Sequence, residues 1–106
     1  MDSNNGATSH VIGYVLNRLG AKVILMKQDP SKSFAHSPLP TDSESIEPVS
    51  NQVRKENASL GFVFDPDGDR FVIVDDKGRQ VKGAHYLMLM ATIALLDAPP
   101  GKGAVV

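Results

Sequence analysis

Apolar positions along this chain fall either at helical spacing or in short continuous runs. From Ile12, the apolar residues Val15, Leu16 and Leu19 recur at spacings of three and four, which predicts a helix with one apolar face. Thr8 or Ser9 stands where a cap for its start belongs, and Gly20 stands where it should stop. The run Ala21 to Met26 reads as a short buried strand. Residues 27–42 break the pattern with Pro30, Pro38, Pro40 and several serines, so they read as a loop. A loop of that length is uncommon unless it is functional or disordered. A second helix is expected from Asp42 or Ser43, with Ile46, Val49 and Val53 as its stripe. Pro48 falls late for a first turn, which moves the expected start toward Glu47.

Two strands then surround an acidic turn. Leu60 to Phe64 runs in, Asp65 to Asp69 turns, and Arg70 to Val74 runs out. A second turn at Asp75 to Gly78 leads to a short return strand at Gln80 to Lys82. A third helix is expected over Ala84 to Leu96, apolar on most faces, with one side on the sheet and another available to a neighbouring domain. Ala98-Pro99-Pro100-Gly101 ends it, and Gly103 to Val106 resembles the opening of a further strand. The order helix, strand, helix, strand, strand, helix predicts an α/β fold. The expected form is one small three-layer α/β/α-type domain with a mixed sheet and about three helices. A strand normally precedes the first helix of such a unit. Its apparent truncation here, and the unfinished strand at the other end, suggest a piece cut from something longer.

Composition narrows the function classes. With 106 residues and 42% of them hydrophobic, the chain suits one small domain and not wholesale disorder. Eleven basic against twelve acidic side chains give a net charge of −1, which removes any strong electrostatic case for nucleic acid or an anionic membrane as partner. There is no cysteine, so disulfides, thiolate metal sites and cysteine nucleophiles are excluded. The start lacks the basic-then-apolar pattern of a signal peptide, and Tyr86 to Leu96 is too short to span a bilayer. A cytoplasmic protein is expected.

The candidate chemistry lies in Asp65-Pro66-Asp67-Gly68-Asp69-Arg70. In an extended turn, alternate side chains can point the same way. Three carboxylates facing one point repel each other, and a hard divalent cation such as Mg²⁺ relieves that repulsion. Gly68 permits a tight turn, and the guanidinium of Arg70 suits a phosphate or a carboxylate. An ordinary Asp-rich surface turn is the competing reading. Apolar strands on both flanks and the arginine at the exit weigh against it. An EF-hand would place Asp65, Asp67, Asp69 and Asp76 at ligand positions, but Arg70 stands where that loop needs glycine.

The run Gly61-Phe62-Val63-Phe64-Asp65-Pro66-Asp67-Gly68-Asp69-Arg70, followed by Val72-Ile73-Val74-Asp75, resembles the metal-binding loop of the α-D-phosphohexomutases. Weaker likenesses follow in order at Asp2 to Gly6, Leu16 to Gly20, Phe34 to Pro40 and Asp75 to Arg79. The resemblance implies the second of four domains in an enzyme that moves a phosphoryl group between hexose oxygens through a phosphoserine. It implies that Asp65, Asp67 and Asp69 ligate Mg²⁺ and that Arg70 orients the phosphoserine or the reacting phosphate. It implies as partners a hexose phosphate and the phosphoserine-bearing domain of the same protein. The family's phosphoserine motif is not matched: Ser9-His10 lacks the surrounding residues and reads as a helix start. Ala35 stands where many relatives have proline. The chain alone is therefore expected to be inactive. The alternative is a non-catalytic truncated paralogue, a metal-binding or interaction module that self-associates through an open sheet edge. His36 is expected to be a solvated loop residue, His85 structural or solvated, Met88 and Met90 packing residues, and Lys77 and Arg79 solvated. No P-loop and no dinucleotide fingerprint is present.

Overall fold

A computed structural model describes residues 1–99. Three helices, α1 (Ile12–Arg18), α2 (Ser43–Glu56) and α3 (Gly83–Leu96), accompany three strands, β1 (Gly61–Phe64), β2 (Phe71–Val74) and β3 (Gln80–Val81). The strands form an antiparallel sheet in the order β1-β2-β3, with Gly61 opposite Val74 and Phe64 opposite Phe71. The α/β class is as the periodicity predicts. The further strand expected at Gly103 to Val106 lies outside the described residues.

The sheet is extended on the far side of β1 by parallel pairing. Asp2 bridges both Val63 and Met26. The Asp2 N–H donates to Phe62 at 2.8 Å, and the Phe64 N–H donates back to Asp2 at 3.0 Å. On the other flank Met26 donates to Met1 at 2.8 Å and Ser3 donates to Met26 at 3.2 Å. Residues 1–3 thus take the strand position expected before α1 and make the sheet mixed. The strand expected over Ala21 to Met26 shrinks to the single bridge at Met26. Its strand-like neighbour among the described residues is the short segment 1–3, too short for a ladder to propagate.

Strand alternation divides the sheet into two faces. Val63, Val72 and Val74 point to one side and pack with Val49 and Val53 of α2 as the buried core. Phe62, Phe64 and Phe71 point to the other, with ring centroids 5.7–6.3 Å apart. Gly61 lies directly under α2. A Cβ there would come within 2.7 Å of Val49 and 2.8 Å of Val53, so the absence of a side chain sets how closely the helix approaches.

Helix ends follow local chemistry. After α1, Gly20 takes φ +88°, its N–H donates to Asn17, and Ala21 donates to Leu16. This paired closure is the usual use of glycine after a helix. Asn57 plays the same part after α2 at φ 50°, with Ala58 donating to Val53. Helix α2 begins at Ser43, not near Glu47, and Pro48 lies inside it. Its lost N–H is tolerated because burial of Ser45, Val49 and Val53 holds the helix in place.

Three packing expectations fail. Neither Thr8 nor Ser9 caps α1; both belong to a 3-10 turn over Ala7–Ser9, and the Ser9 hydroxyl donates to Gly6 at 2.7 Å. The expected apolar face of α1 is not buried: Val15 and Leu19 are exposed, and the helix touches its neighbour at Gly13, against Leu25. Helix α3 has no buried residue. It meets the sheet where Tyr86 stands edge-on to Phe71, centroids 5.7 Å apart, while Met88 and Met90 are exposed and not packing residues. Among the described residues no helix is long and apolar enough to cross a membrane.

Candidate metal centre

The acidic turn joins β1 to β2, so both of its ends are fixed by the antiparallel ladder. The Asp65 N–H donates to the Arg70 carbonyl at 3.2 Å and closes the hairpin. Asp65 is fully buried. Its Oδ1 accepts the N–H groups of Gly68 at 2.9 Å and Arg70 at 3.2 Å, and its Oδ2 accepts the Arg70 Nε–H at 2.8 Å. One carboxylate therefore folds the loop around itself. Asp67 and Asp69 are exposed, yet one oxygen from each of the three aspartates lies within 4.8 Å of the others. The structure brings together all three side chains that the sequence singles out.

The electrostatics reflect that crowding. Burial opposes ionisation of Asp65, but hydrogen bonds from the Arg70 and Gly68 N–H groups and the Arg70 guanidinium outweigh it and hold the carboxyl below the ordinary carboxylate range. Asp69 is pushed up, first by sharing a hydrogen bond with Asp65 and then by the Asp67 charge. The Arg70 guanidinium is held more firmly protonated by Asp65 and also lies 3.4 Å from Asp69. Its side chain is still more than half exposed. Its Nε is engaged, and its terminal nitrogens make no hydrogen bond among the described residues.

The donor set fits a hard cation. All three groups offer oxygen, as Mg²⁺ prefers. Octahedral Mg–O bonds of 2.0–2.1 Å put adjacent ligand oxygens about 2.9 Å apart. The three carboxylate oxygens already lie within 4.8 Å of one another, near enough for one cation to gather them. Two exposed members leave room for the waters that Mg²⁺ keeps.

The remaining candidates separate. His10 and His85 are exposed, as is Lys77. Arg79 is exposed but pairs with Asp75 at 2.7 Å across the second turn. His36 departs from expectation: its side chain is only 6% exposed, and Nε2 lies 3.1 Å from Oδ1 of the fully buried Asp2. Its Nδ1 faces the Ser37 carbonyl at 2.9 Å. Sequence reasoning missed what fastens this loop. The Asn4 Oδ1 accepts the Ala35 and His36 N–H groups at 2.7 and 3.0 Å, and its Nδ2 donates to His36 and Ser37 carbonyls at 3.3 Å. Asn5 donates to Ser33 at 2.9 Å and accepts from Asp29 at 3.1 Å. The available signal was Asn4-Asn5-Gly6 itself: both asparagines take positive φ, which only a few residue types tolerate.

Comparison with known proteins gives the same frame. The family described as phosphoglucomutase/phosphomannomutase, alpha/beta/alpha domain II, matches residues 1–78. The chain belongs to the phosphoglucomutase/phosphomannomutase family. It is 37% identical over 105 residues to a phosphoglucosamine mutase of Psychromonas ingrahamii, covering 99% of this chain and 23% of that one. A phosphoglucosamine mutase of Edwardsiella ictaluri is 37% identical over 94 residues, covering 89% and 21%. A phosphoglucomutase/phosphomannomutase family protein from Burkholderia thailandensis superposes with a TM-score of 0.84 at 29% identity, over 92% of this chain and 22% of that one. The chain therefore spans about a quarter of the length of the curated relatives it matches.

Proposed function

We propose that residues 1–106 are the metal-binding second domain of a phosphohexomutase, in which Asp65, Asp67 and Asp69 hold Mg²⁺ and Arg70 orients phosphate. The observation that carries this reading is the convergence of the three carboxylates within 4.8 Å on a hairpin tip, beside an arginine whose Nε is anchored to one of them. Bound Mg²⁺ would supply charge stabilisation to a phosphoryl group in transfer. Asp65 does two things at once. It offers an oxygen to the cation, and it grips Nε so that the Arg70 terminal nitrogens project as a fork toward a phosphate. Asp67 and Asp69 complete the oxygen set from the solvent side. The phosphoryl group itself would be carried by a serine on another domain of the same protein, and the hexose phosphate would be bound by further domains. Ser9, the serine of the Ser9-His10 pair, is buried and spends its hydroxyl on Gly6.

The test is Mg²⁺ titration of the chain followed by two-dimensional NMR, with and without a phosphate analogue. Shifts are expected to cluster at Asp65 through Arg70, and the analogue is expected to tighten the response. Asp67→Asn changes an exposed side chain, so the fold should persist while the Mg²⁺ response is lost. An unchanged response in that variant would refute the ligand set. The chain alone is expected to show no mutase turnover with Mg²⁺ and a hexose bisphosphate, and robust turnover would overturn the assignment of the nucleophile elsewhere.

A further inference from the structure

The two residues between the three aspartates are tightly constrained, although Asp67 and Asp69 beside them are exposed. Pro66 and Gly68 both lie against the turn formed by Gly6, Ala7 and Thr8, some 60 residues earlier in the chain. The Ala7 N–H donates to the Pro66 carbonyl at 2.8 Å. A Cβ on Gly6 would fall inside the Pro66 peptide, within 2.7 Å of its Cα and carbonyl carbon and nearer still to its oxygen. Gly68 takes φ +80°, and a Cβ there would strike the methyl group of Thr8. Real Cβ atoms do not approach so closely, so the two turns are in backbone contact with no slack. Thr8 is buried, and its hydroxyl has no hydrogen-bond partner. What it contributes to the loop is its methyl group, not its polarity.

We infer that the Gly6–Thr8 turn is a mould that holds Pro66 and Gly68 from beneath and so sets the spacing of the three carboxylates, with Thr8 a positioning residue acting through its methyl. This rests on the metal reading above for its functional meaning. The geometry behind it is independent of any ion. The loop bends throughout Pro66 to Asp69, and its path is fixed where Pro66 and Gly68 meet the earlier turn and where Asp65 takes the Gly68 and Arg70 N–H groups. Mutual repulsion would otherwise spread Asp67 and Asp69, which have no anchor comparable to that of Asp65.

The test compares Thr8→Ser, which deletes the methyl and keeps the hydroxyl, with Thr8→Val, which does the reverse. Two readouts are taken on the full chain: the Mg²⁺ dissociation constant by NMR titration, and amide exchange of Gly68 and Arg70 without metal. Thr8→Ser is expected to weaken Mg²⁺ binding several-fold and to speed exchange at Gly68 and Arg70, with α2 and β1 amides unchanged. Thr8→Val is expected to match the unmodified chain in both. If the unmodified chain binds no Mg²⁺, the metal reading fails while the exchange data still decide the mould. If Thr8→Ser leaves both readouts unmoved, or if Thr8→Val is as damaged as Thr8→Ser, the mould is wrong and the hydroxyl or the fold at large is responsible. Should either variant fail to fold, Thr8→Ala, which removes the methyl together with the unpartnered hydroxyl, takes its place with the same expected acceleration at Gly68 and Arg70.

Discussion

Adding one methyl group at Gly61 measures how tightly α2 is seated on the sheet. In Gly61→Ala the new Cβ would lie 2.7 Å from Val49 Cγ1, 2.8 Å from Val53 Cγ2 and 3.2 Å from Val74 Cβ. None of the three can step aside. Val49 and Val53 are β-branched residues in a helix, where one χ1 rotamer dominates, and a Cβ moves only with its backbone. All three are buried in the same cluster. The helix must therefore retreat, and overpacking of this kind costs about 1–3 kcal/mol. Replacing glycine by alanine also removes unfolded-state entropy, which contributes roughly 0.5–1 kcal/mol in the other direction. Overpacking wins, leaving a net loss of about 1–2 kcal/mol. For a domain of this size that lowers Tm by roughly 4–15 °C. Urea and thermal unfolding followed by circular dichroism would read it. Val49→Ala destabilises alone by leaving a cavity, but in the Gly61→Ala background it removes the clashing methyl, so the double variant should lose less than the sum of the singles. A Gly61→Ala protein as stable as the parent, or strict additivity in the pair, would refute the argument that this contact sets the helix-to-sheet distance.

Two further outcomes are expected. Asn4→Ala strips the partner from the Ala35 and His36 N–H groups and frees the loop, so amide exchange at those two positions should accelerate, with a stability loss of about 1–3 kcal/mol; protection equal to the parent's would show the loop is held by other means. Asp75 is held below the ordinary carboxylate range, chiefly by its hydrogen bond from the Arg79 side chain and then by the Arg79 and Lys77 N–H groups. A depressed folded-state pKa gives stability that is present above about pH 4 and is lost as pH falls through the lowered value. The urea midpoint of Asp75→Asn should therefore change less below about pH 4 than the parent's does, and parallel profiles would remove Asp75 from the acid response.

What was legible in the sequence was what local chemistry decides. The hairpin around Asp65 to Asp69 follows from two continuous apolar runs with glycine and proline between them. The end of α1 follows from Gly20, and the apolar stripe of α2 from Ile46, Val49 and Val53. What was not legible depended on distant partners. The run Ala21 to Met26 has strand composition, but whether it forms a ladder depends on how much chain lies beside it, and only residues 1–3 do. Pro48 argued for a late helix start because proline opposes a helix interior; the burial of Val49 and Val53 overrides that preference. His36 looked like a loop residue in solvent, and nothing local could show that a fully buried Asp2 sits 3.1 Å away. The apolar composition of α3 predicted packing on several sides, whereas no residue of that helix is buried and its aromatic contact with the sheet is Tyr86 against Phe71.

The same division runs through the candidate site. The identity of the three carboxylates is written in five consecutive residues, but their convergence is not. An isolated Asp-Pro-Asp-Gly-Asp segment has every electrostatic reason to splay, since each carboxylate repels the other two. Here the buried Asp65 collects two backbone N–H groups and a guanidinium, so one charge is compensated from within the hairpin. The other two are held in register from outside, because Pro66 and Gly68 are pinned to a turn whose glycine and threonine lie at the start of the chain. A motif match in another sequence therefore predicts a cation site only when that sequence also supplies a residue without a side chain facing the proline and a small methyl-bearing one facing the glycine. Transplanting the five-residue motif into an unrelated hairpin, without that second turn, should give the charge of this loop and little of its affinity for Mg²⁺.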